Sequence, residues 1–165
     1  MIISDGLTEE EKEALIKFLY KEISLLEEGK CEEWISMLTD DVRYYMPVSL
    51  VTRNGDVDGS EISILDENKE SLTIKCRKMR TSYNWIETPP SRIRFHPSKI
   101  FLMKENEEFK VEISMLLFMD RLKNSQIISL VRKDIISIVN GEFKIKSRVL
   151  ELDCEVPNVV FSRII

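Results

Sequence analysis

The second half of the chain contains a run in which every second residue is apolar, and this pattern limits the fold more than any other feature. The run comprises Phe109, Val111, Ile113, Met115, Leu117 and Met119. Because side chains of a strand point alternately to its two faces, the run predicts a strand with one buried face. Further strands are predicted over residues 93–103 and 126–139.

A hairpin turn is predicted directly after the third of these strands. Asn140-Gly141 is the preferred dipeptide of a two-residue hairpin turn. It predicts that the chain folds back into a last strand, in which we expect Phe143, Ile145 and Val149 to share one face. The second half of the chain is therefore predicted to be a meander of antiparallel strands.

The first part of the chain is predicted to be helical. Thr8 followed by Glu11 matches a capping box. Apolar residues then repeat at helical spacing from Leu15 to Leu26, and Gly29 is the residue type that commonly ends a helix. A second, short helix is predicted over residues 32–38.

The middle of the chain has a weaker pattern. A strand is predicted over residues 42–48, and residues 53–59, rich in Asn, Asp and Gly, are predicted to be a loop. The stretch after Asp66 fits both a strand and a helix. We predict a helix with Asp66 as its N-cap, because the surrounding lysines and glutamates favour helix.

Helices followed by a run of antiparallel strands are typical of the α+β class. The chain has no linker, low-complexity tract or internal repeat, so we predict one domain over residues 1–165. In this fold a long curved sheet, antiparallel or mixed, wraps over the N-terminal helices and forms a cone with a pocket.

Metal chemistry is limited by the number of possible ligands. His96 is the single histidine, whereas a Rieske cluster needs two histidines and two cysteines, and a non-heme iron triad needs two histidines and a carboxylate. Cys31, Cys76 and Cys154 show no C-x-x-C spacing and are interpreted as reduced thiols of a cytosolic protein. We therefore predict no metal or cofactor site within this chain.

Charge and hydropathy exclude other classes. A net charge of −5 is not the basic footprint expected of a nucleic-acid-binding protein. No apolar run approaches the roughly 18–20 residues that span a membrane, and no secretion signal is visible. Phosphate-binding glycine motifs and a G-x-S-x-G nucleophile motif are also missing from the sequence. We expect a cytoplasmic protein that binds neither nucleic acid nor a membrane.

A cone-shaped pocket could still support general acid–base chemistry by carboxyl, phenol and imidazole groups. The candidates for this chemistry are Asp134 and the four pocket residues Asp41, Tyr44, Tyr45 and His96. Against this, consecutive strand residues point to opposite faces, so Tyr44 and Tyr45 are not expected to share a site.

Arg132 and Asp134 lie two residues apart on a predicted strand and therefore on one face. If that face points inward, they form a buried ion pair, which is costly unless fully hydrogen-bonded. If it points outward, they could recognise a partner subunit. Both roles are favoured over catalysis.

The segment from Trp85 to Arg94, W-I-E-T-P-P-S-R-I-R, resembles the W-x-E-x-P-P-S-R-x-R segment of beta subunits of aromatic-ring-hydroxylating dioxygenases. Further stretches resemble the same family in the same order along the chain. They are residues 18–34, 40–48, 75–81, 131–134 and 140–153. The resemblance covers nearly the whole chain.

This resemblance implies the fold of nuclear transport factor two and scytalone dehydratase. It also implies an alpha subunit as partner, which carries the Rieske iron–sulfur cluster, the mononuclear iron and the substrate pocket. The chain itself would be a structural beta subunit, forming a homotrimer within a mixed oligomer. No catalytic residue is transferred to this chain, because none is assigned in the family's beta subunits.

The Trp85–Arg94 segment is also a candidate subunit interface, since Pro89 and Pro90 stiffen it and tryptophan and arginine are enriched at interfaces. The residues assigned to this interface are Trp85, Glu87, Pro89, Pro90, Arg92, Arg94, Arg132 and Asp134. Alternatively, Trp85 packs in the core and Arg92 pairs with Glu87.

Two other functions remain open for the sequence alone. One is a separate pocket enzyme of the same fold, a dehydratase or an isomerase that uses the Asp/Tyr/His set. The other is a small-molecule-binding module without chemistry. A pocket enzyme would need Asp41, a tyrosine and His96 to meet in one open cavity.

Overall fold

The computed structural model describes residues 1–48, 63–79, 90–153 and 164–165. Within them the strands are β1 Ile2–Asp5, β2 Leu38–Pro47, β3 Ser63–Glu67, β4 Arg92–Glu105, β5 Glu108–Arg121, β6 Asn124–Val139 and β7 Glu142–Leu152. The helices are α1 Glu9–Glu28, α2 Cys31–Ser36 and α3 Lys69–Met79. None of these helices is long and apolar enough to cross a membrane.

Helix α1 begins and ends where the sequence predicts. The Thr8 hydroxyl accepts from the backbone N–H of Glu11, and the Glu11 carboxylate accepts from that of Thr8, at 3.2 and 3.0 Å. Gly29 ends the helix at a φ of 71°, a conformation that a side chain disfavours. The capping box is thus confirmed.

The other two helices differ from the prediction at their ends. Helix α2 is shorter, because Leu38 already pairs with β7 as the first residue of β2. A helix is confirmed after Asp66, but the prediction that Asp66 caps it is wrong. Asp66 lies in β3, and Asn68 is the cap, with its Oδ1 accepting from the Ser71 N–H at 2.9 Å.

The seven strands form one mixed sheet in the order β1-β4-β5-β6-β7-β2-β3. Neighbours from β4 to β7 are antiparallel, as the predicted meander requires. The two parallel pairs are β1 with β4 and β2 with β7. The alternating apolar residues of β5 are all buried, which confirms the predicted one-sided strand.

A β-bulge in β7 reverses which residues point inward. Ile136 is opposite Ile145, but the preceding Ile135 is opposite Ser147, so β7 contains one extra residue at this point. Beyond the bulge Arg148 is buried, whereas Val149 is half-buried and lies on the other face. The prediction that Val149 shares a face with Ile145 is therefore wrong.

The core lies between the inner face of the sheet and the helices. Trp34 and Leu15 are fully buried there, and Leu19 and Leu72 are 1% exposed. Cys31 at the start of α2 forms a disulfide with Cys76 of α3, with the two Cα atoms 5.6 Å apart. The prediction that the cysteines are unpaired is wrong for these two, because spacing in sequence does not show which helices pack together.

Candidate functional site

Four charged side chains meet inside the chain, where β6, β7 and α1 pack together. Arg132 and Asp134 come from β6 and are 1% and 2% exposed. Arg148 of β7 stands directly opposite Asp134. Glu22 projects from the buried side of α1. These four residues are called the buried ion cluster below.

The buried ion cluster is closely hydrogen-bonded. Arg148 donates through Nε and Nη2 to the two carboxylate oxygens of Asp134, at 2.9 Å each. Its Nη1 donates to Glu22 Oε1 at 2.8 Å, and Arg132 Nη1 donates to Glu22 Oε2 at 2.9 Å. The indole N–H of Trp34 also donates to Glu22 Oε1, at 2.7 Å. Each of the four carboxylate oxygens of Glu22 and Asp134 therefore accepts at least one hydrogen bond.

Arg132 is less completely satisfied than Arg148. Its Nε lies 3.0 Å from Asp134 Oδ2, but the contact is too poorly aligned to be a hydrogen bond. Neither Nε nor Nη2 of Arg132 has a hydrogen-bond partner among the described residues. Burying a guanidinium in this state costs free energy, which the pairing with Glu22 offsets.

The electrostatics keep both members of the Glu22–Arg148 pair charged. Burial acts to raise the pKa of Glu22, but Arg132 and Arg148 outweigh it and lower that pKa to about 2. Burial acts to lower the pKa of Arg148, but Asp134 and Glu22 raise it well above its usual range. With two guanidinium groups and two carboxylates, the cluster carries no net charge.

This arrangement suits structure better than proton transfer. A general base needs a free acceptor near its reacting partner and a pKa near the working pH. Glu22 has neither, and both oxygens of Asp134 accept from Arg148. The buried ion cluster instead ties α1 to the middle of the sheet.

The sequence identified only half of this cluster. Arg132 and Asp134 point inward, as in the predicted alternative of a buried ion pair. We therefore no longer assign these two residues to a subunit interface. Glu22 was missed, although an acidic residue between Leu19 and Leu26 on an apolar helical stripe is a usable signal. Arg148 was missed because its inward position depends on the bulge in β7.

The predicted pocket residues do not meet in one cavity. Tyr44 is buried, and its hydroxyl donates to the backbone oxygen of Ile165. Tyr45 is half-buried under the guanidinium of Arg43, 4.6 Å from its ring centre, on the opposite face. Asp41 is exposed at a surface cleft, and His96 is exposed on β4, opposite Leu116.

Only part of the predicted interface segment can be placed. Trp85, Glu87 and Pro89 lie outside the described residues. Pro90 and Arg92 are exposed. Arg94 is also exposed, and its Nη1 lies 3.2 Å from Glu27 Oε2.

Arg94 borders apolar side chains on the outer face of the sheet. In the strand register it stands opposite Phe118, which stands opposite Ile127. Ile127 is 70% exposed and Leu116, two residues from Phe118, is 46% exposed. Arg94, Leu116, Phe118 and Ile127 are called the outer patch below. No pattern in the sequence predicts this patch, because apolar residues on the outer face of a strand cannot be distinguished locally from those of an ordinary solvent-exposed face.

Metal ligands do not cluster in the described part of the chain. No group of three or more His, Cys, Asp or Glu side chains in residues 1–48, 63–79, 90–153 and 164–165 could hold a metal ion. The carboxylates of Glu22 and Asp134, which share Arg132 and Arg148 as partners, are held in ion pairs. The described residues therefore do not fit an iron or iron–sulfur group.

Curated relatives resemble the chain over most of its length. It is 27% identical over 138 residues to the N,N-dimethyl phenylurea N-demethylase subunit beta of a Sphingobium species, covering 81% of this chain and 78% of that protein. It is 26% identical over 147 residues to the biphenyl 2,3-dioxygenase subunit beta of Rhodococcus jostii, covering 83% and 79%.

Solved structures share the fold at lower sequence identity. A naphthalene 1,2-dioxygenase structure superposes with a TM-score of 0.79 at 16% identity, covering 93% of this chain and 84% of that chain. The benzoate 1,2-dioxygenase beta subunit of Burkholderia mallei gives 0.73 at 17%, covering 97% and 99%. A protein of the nuclear transport factor two type from Cytophaga hutchinsonii gives 0.61 at 10%, covering 88% and 99%.

These neighbours confirm the predicted cone-shaped α+β fold. Residues 21–158 also match the family described as ring hydroxylating beta subunit. The matched range includes all four residues of the buried ion cluster, Glu22, Arg132, Asp134 and Arg148. The chain belongs to the family of ring-hydroxylating beta subunits.

Proposed function

We propose that this chain is the structural, non-catalytic beta subunit of a dioxygenase that dihydroxylates an aromatic compound with O2 and electrons from a reductase chain. The observation that carries the proposal is the buried ion cluster. The carboxylates that could have acted inside the cone, those of Glu22 and Asp134, are held in ion pairs and hydrogen bonds with buried arginines. The interior thus serves rigidity, and the chemistry belongs to another chain.

The range of reactions among the relatives supports this division of labour. Beta subunits named for phenylurea N-demethylation and for biphenyl dioxygenation are 27% and 26% identical to this chain. One type of subunit thus accompanies two kinds of oxidation. The choice of substrate and reaction then lies with the alpha subunit.

The alpha subunit would carry the Rieske iron–sulfur cluster and the mononuclear iron. The described residues of the beta chain offer no group of three metal ligands, which agrees with that assignment. This chain would contribute no ligand and no proton-transfer group. Its contribution is a rigid surface on which the alpha subunit assembles.

The outer patch is the surface we assign to subunit contact. It combines exposed apolar side chains, Leu116 and Ile127, with the guanidinium of Arg94. Such combinations are typical of the centre of protein interfaces. The patch also continues the segment around Pro90 and Arg92 whose sequence resembles that of the dioxygenase beta subunits.

The assembly would contain three copies of this chain together with alpha subunits in a mixed oligomer in the cytoplasm. The family assignment supports an alpha partner. The described helices include none that could cross a membrane. The three-fold stoichiometry comes from the resemblance alone.

Co-expression with a Rieske alpha subunit, to be sought in the reading frames beside that of this chain, tests the proposal. We expect the two chains to co-purify as one complex whose iron content follows the alpha chain. Turnover of an aromatic substrate should need both chains and a reductase. If this chain purified alone converted substrate, or if it never bound the alpha chain, the proposal would be refuted.

The pocket-enzyme alternative is not favoured. It requires Asp41, a tyrosine and His96 to converge in one cavity. Asp41 and His96 are both exposed, on strands β2 and β4, which are separated in the sheet by β5, β6 and β7. Tyr44, the buried tyrosine, donates its hydroxyl to Ile165.

A further inference from the structure

Helix α3 is held to the rest of the chain by few buried side chains. Of its eleven residues only Leu72 and Cys76 are buried. The helix contacts α2, β2 and β3. Elements with little buried apolar surface open most readily by local unfolding, so each buried contact of α3 has a large effect on its stability.

One of these two buried residues is covalently bonded. Cys76 joins Cys31, 45 residues earlier in the chain, at the start of α2. Cross-linking two positions so far apart strongly reduces the freedom of the unfolded chain. The bond therefore both stabilises the whole fold and fixes α3 against α2.

The bond is shielded from solvent. Cys31 is 6% exposed and Cys76 is 1% exposed. Thiol–disulfide exchange requires an incoming thiolate to reach one of the two sulfurs. Since the sulfurs are covered when α3 is in place, an external thiol gains access only when α3 moves away.

We propose that Cys31–Cys76 is a redox-sensitive staple that holds α3 on the fold, and that opening of α3 controls its reduction. In the oxidised state the disulfide bonds α3 covalently to α2. In the reduced state α3 is held by Leu72 and surface ion pairs such as Lys69–Asp40, and opens more often. The inference concerns this chain alone and does not depend on the proposed function.

The Cys31–Cys76 bond can form by thiol–disulfide exchange with a small-molecule disulfide, without a metal. Two thiols and one small-molecule disulfide, such as oxidised glutathione, give the protein disulfide and two small-molecule thiols. The protein sulfurs lose two electrons and two protons, which the small-molecule disulfide takes up. Reduction by a dithiol is the reverse reaction, in which the dithiol becomes a cyclic disulfide.

Thiol counting and thermal unfolding of the full chain test the proposal. After equilibration with oxidised glutathione, denatured protein should show no more than one free thiol, that of Cys154, which is itself lost wherever it forms a mixed disulfide with glutathione. After dithiothreitol it should show three free thiols. The oxidised form should melt about 10 °C above the reduced form, as expected for a cross-link that closes a loop of this length. Amide exchange in α3 should be at least about tenfold faster in the reduced form, with α1 as an internal control.

The rate of reduction tests whether opening of α3 controls access to the disulfide. Dithiothreitol should reduce the bond slowly in buffer and faster as urea is added below the unfolding transition, because urea favours open α3. Cys154→Ser should match the wild type in melting temperature, α3 exchange and reduction rate, and should differ only in lacking the Cys154 thiol. Cys31→Ser should melt like the reduced wild type under both conditions.

Several results would overturn the proposal. Two or three free thiols after prolonged exposure to oxidised glutathione would mean that the Cys31–Cys76 bond does not form. An unchanged melting temperature and unchanged α3 exchange on reduction would mean that the bond has no structural effect. A reduction rate that does not respond to urea would mean that α3 does not control access. The measurements on wild-type protein remain decisive even if Cys31→Ser fails to fold.

Discussion

Arg148 and Asp134 face each other across β6 and β7 and form a two-pronged ion pair, with Nε and Nη2 each 2.9 Å from a carboxylate oxygen. The third arm of Arg148 reaches Glu22 on α1 at 2.8 Å. One arginine thus links two strands and a helix. Removing a single partner from such a group leaves an uncompensated buried charge, which destabilises more than the intact group stabilises.

Glu22→Gln should therefore be strongly destabilising. The substitution keeps the shape of the side chain but leaves two buried arginines with only Asp134 as counter-charge. We expect the free energy of unfolding to fall by about 3 kcal/mol. Urea unfolding measures it, with Glu10→Gln on the exposed side of α1 as the matched control, expected to change stability by no more than about 0.5 kcal/mol. Equal effects of the two substitutions would contradict a structural role for the buried ion cluster.

Glu22 should also make stability fall in acid. Its pKa is lowered from 4.5 to about 2 on folding. A carboxyl with a depressed folded pKa contributes stability above its unfolded pKa and loses it as pH falls through the folded value. We expect a loss of about 3 kcal/mol from this group between about pH 4.5 and pH 2.

Thermal melts at a series of pH values from 7 to 2 measure this loss. The decline of the Glu22→Gln variant over the acid window should be shallower than that of the wild type, and Glu10→Gln should follow the wild type. Parallel curves for all three proteins would show that Glu22 is not the group responsible.

Tyr44→Phe should cost less than loss of a charge. Burial raises the pKa of Tyr44, so its hydroxyl stays protonated and donates to the Ile165 backbone oxygen. Removal of a buried donor leaves that oxygen unsatisfied, and we expect a loss of about 1–2 kcal/mol. Tyr20→Phe, at a site 48% exposed, is the control and should be nearly neutral in chemical denaturation. If Tyr44→Phe and Tyr20→Phe unfolded at the same urea concentration, the hydrogen bond from Tyr44 to Ile165 would not contribute to stability.

Ile127→Lys should weaken assembly with the alpha subunit. Ile127 is 70% exposed in this chain, so a lysine there should not affect folding, but it would place a charge within the outer patch, beside Phe118. We expect an affinity loss of at least about tenfold, which corresponds to about 1.4 kcal/mol. Titration of labelled variants with the alpha chain measures the affinity.

Ile138→Lys is the control for this assembly experiment. Ile138 lies on the same strand, is 53% exposed and stands at the other end, opposite Phe143. Its substitution should leave the affinity unchanged. If Ile127→Lys bound the alpha chain as tightly as the wild type, the outer patch would not be the interface.

The parts of the fold that could be predicted have in common a sequence pattern that specifies the local structure without information from distant residues. The alternation along β5, the capping box of Thr8 and the Asn140-Gly141 turn each specify local geometry within a few residues. Asn140 and Gly141 indeed have φ values of 54° and 79°, as that turn requires. The short edge strands β1 and β3 carry no such signal, and they were missed.

The candidate site was less predictable, because its members are brought together by long-range packing. Glu22 and Arg148 are 126 residues apart in sequence, and the Cys31–Cys76 bond joins two helices separated by β2 and β3. A single extra residue in β7 decides that Arg148, not Val149, points inward. Because side chains alternate along a strand, a one-residue shift exchanges the two faces. No local sequence pattern in β7 predicts this bulge.

The sequence by itself determined the class of fold, the main strands and, through the Trp85–Arg94 segment, the family. A lone histidine also limited which metal sites this chain could build. Only the tertiary structure decided that Arg132 and Asp134 are buried and that Glu22 and Arg148 form ion pairs with them. It also decided that Cys31 and Cys76 come together. The physical reason is that burial and pairing depend on which surfaces come into contact, whereas local sequence specifies only what each surface is made of.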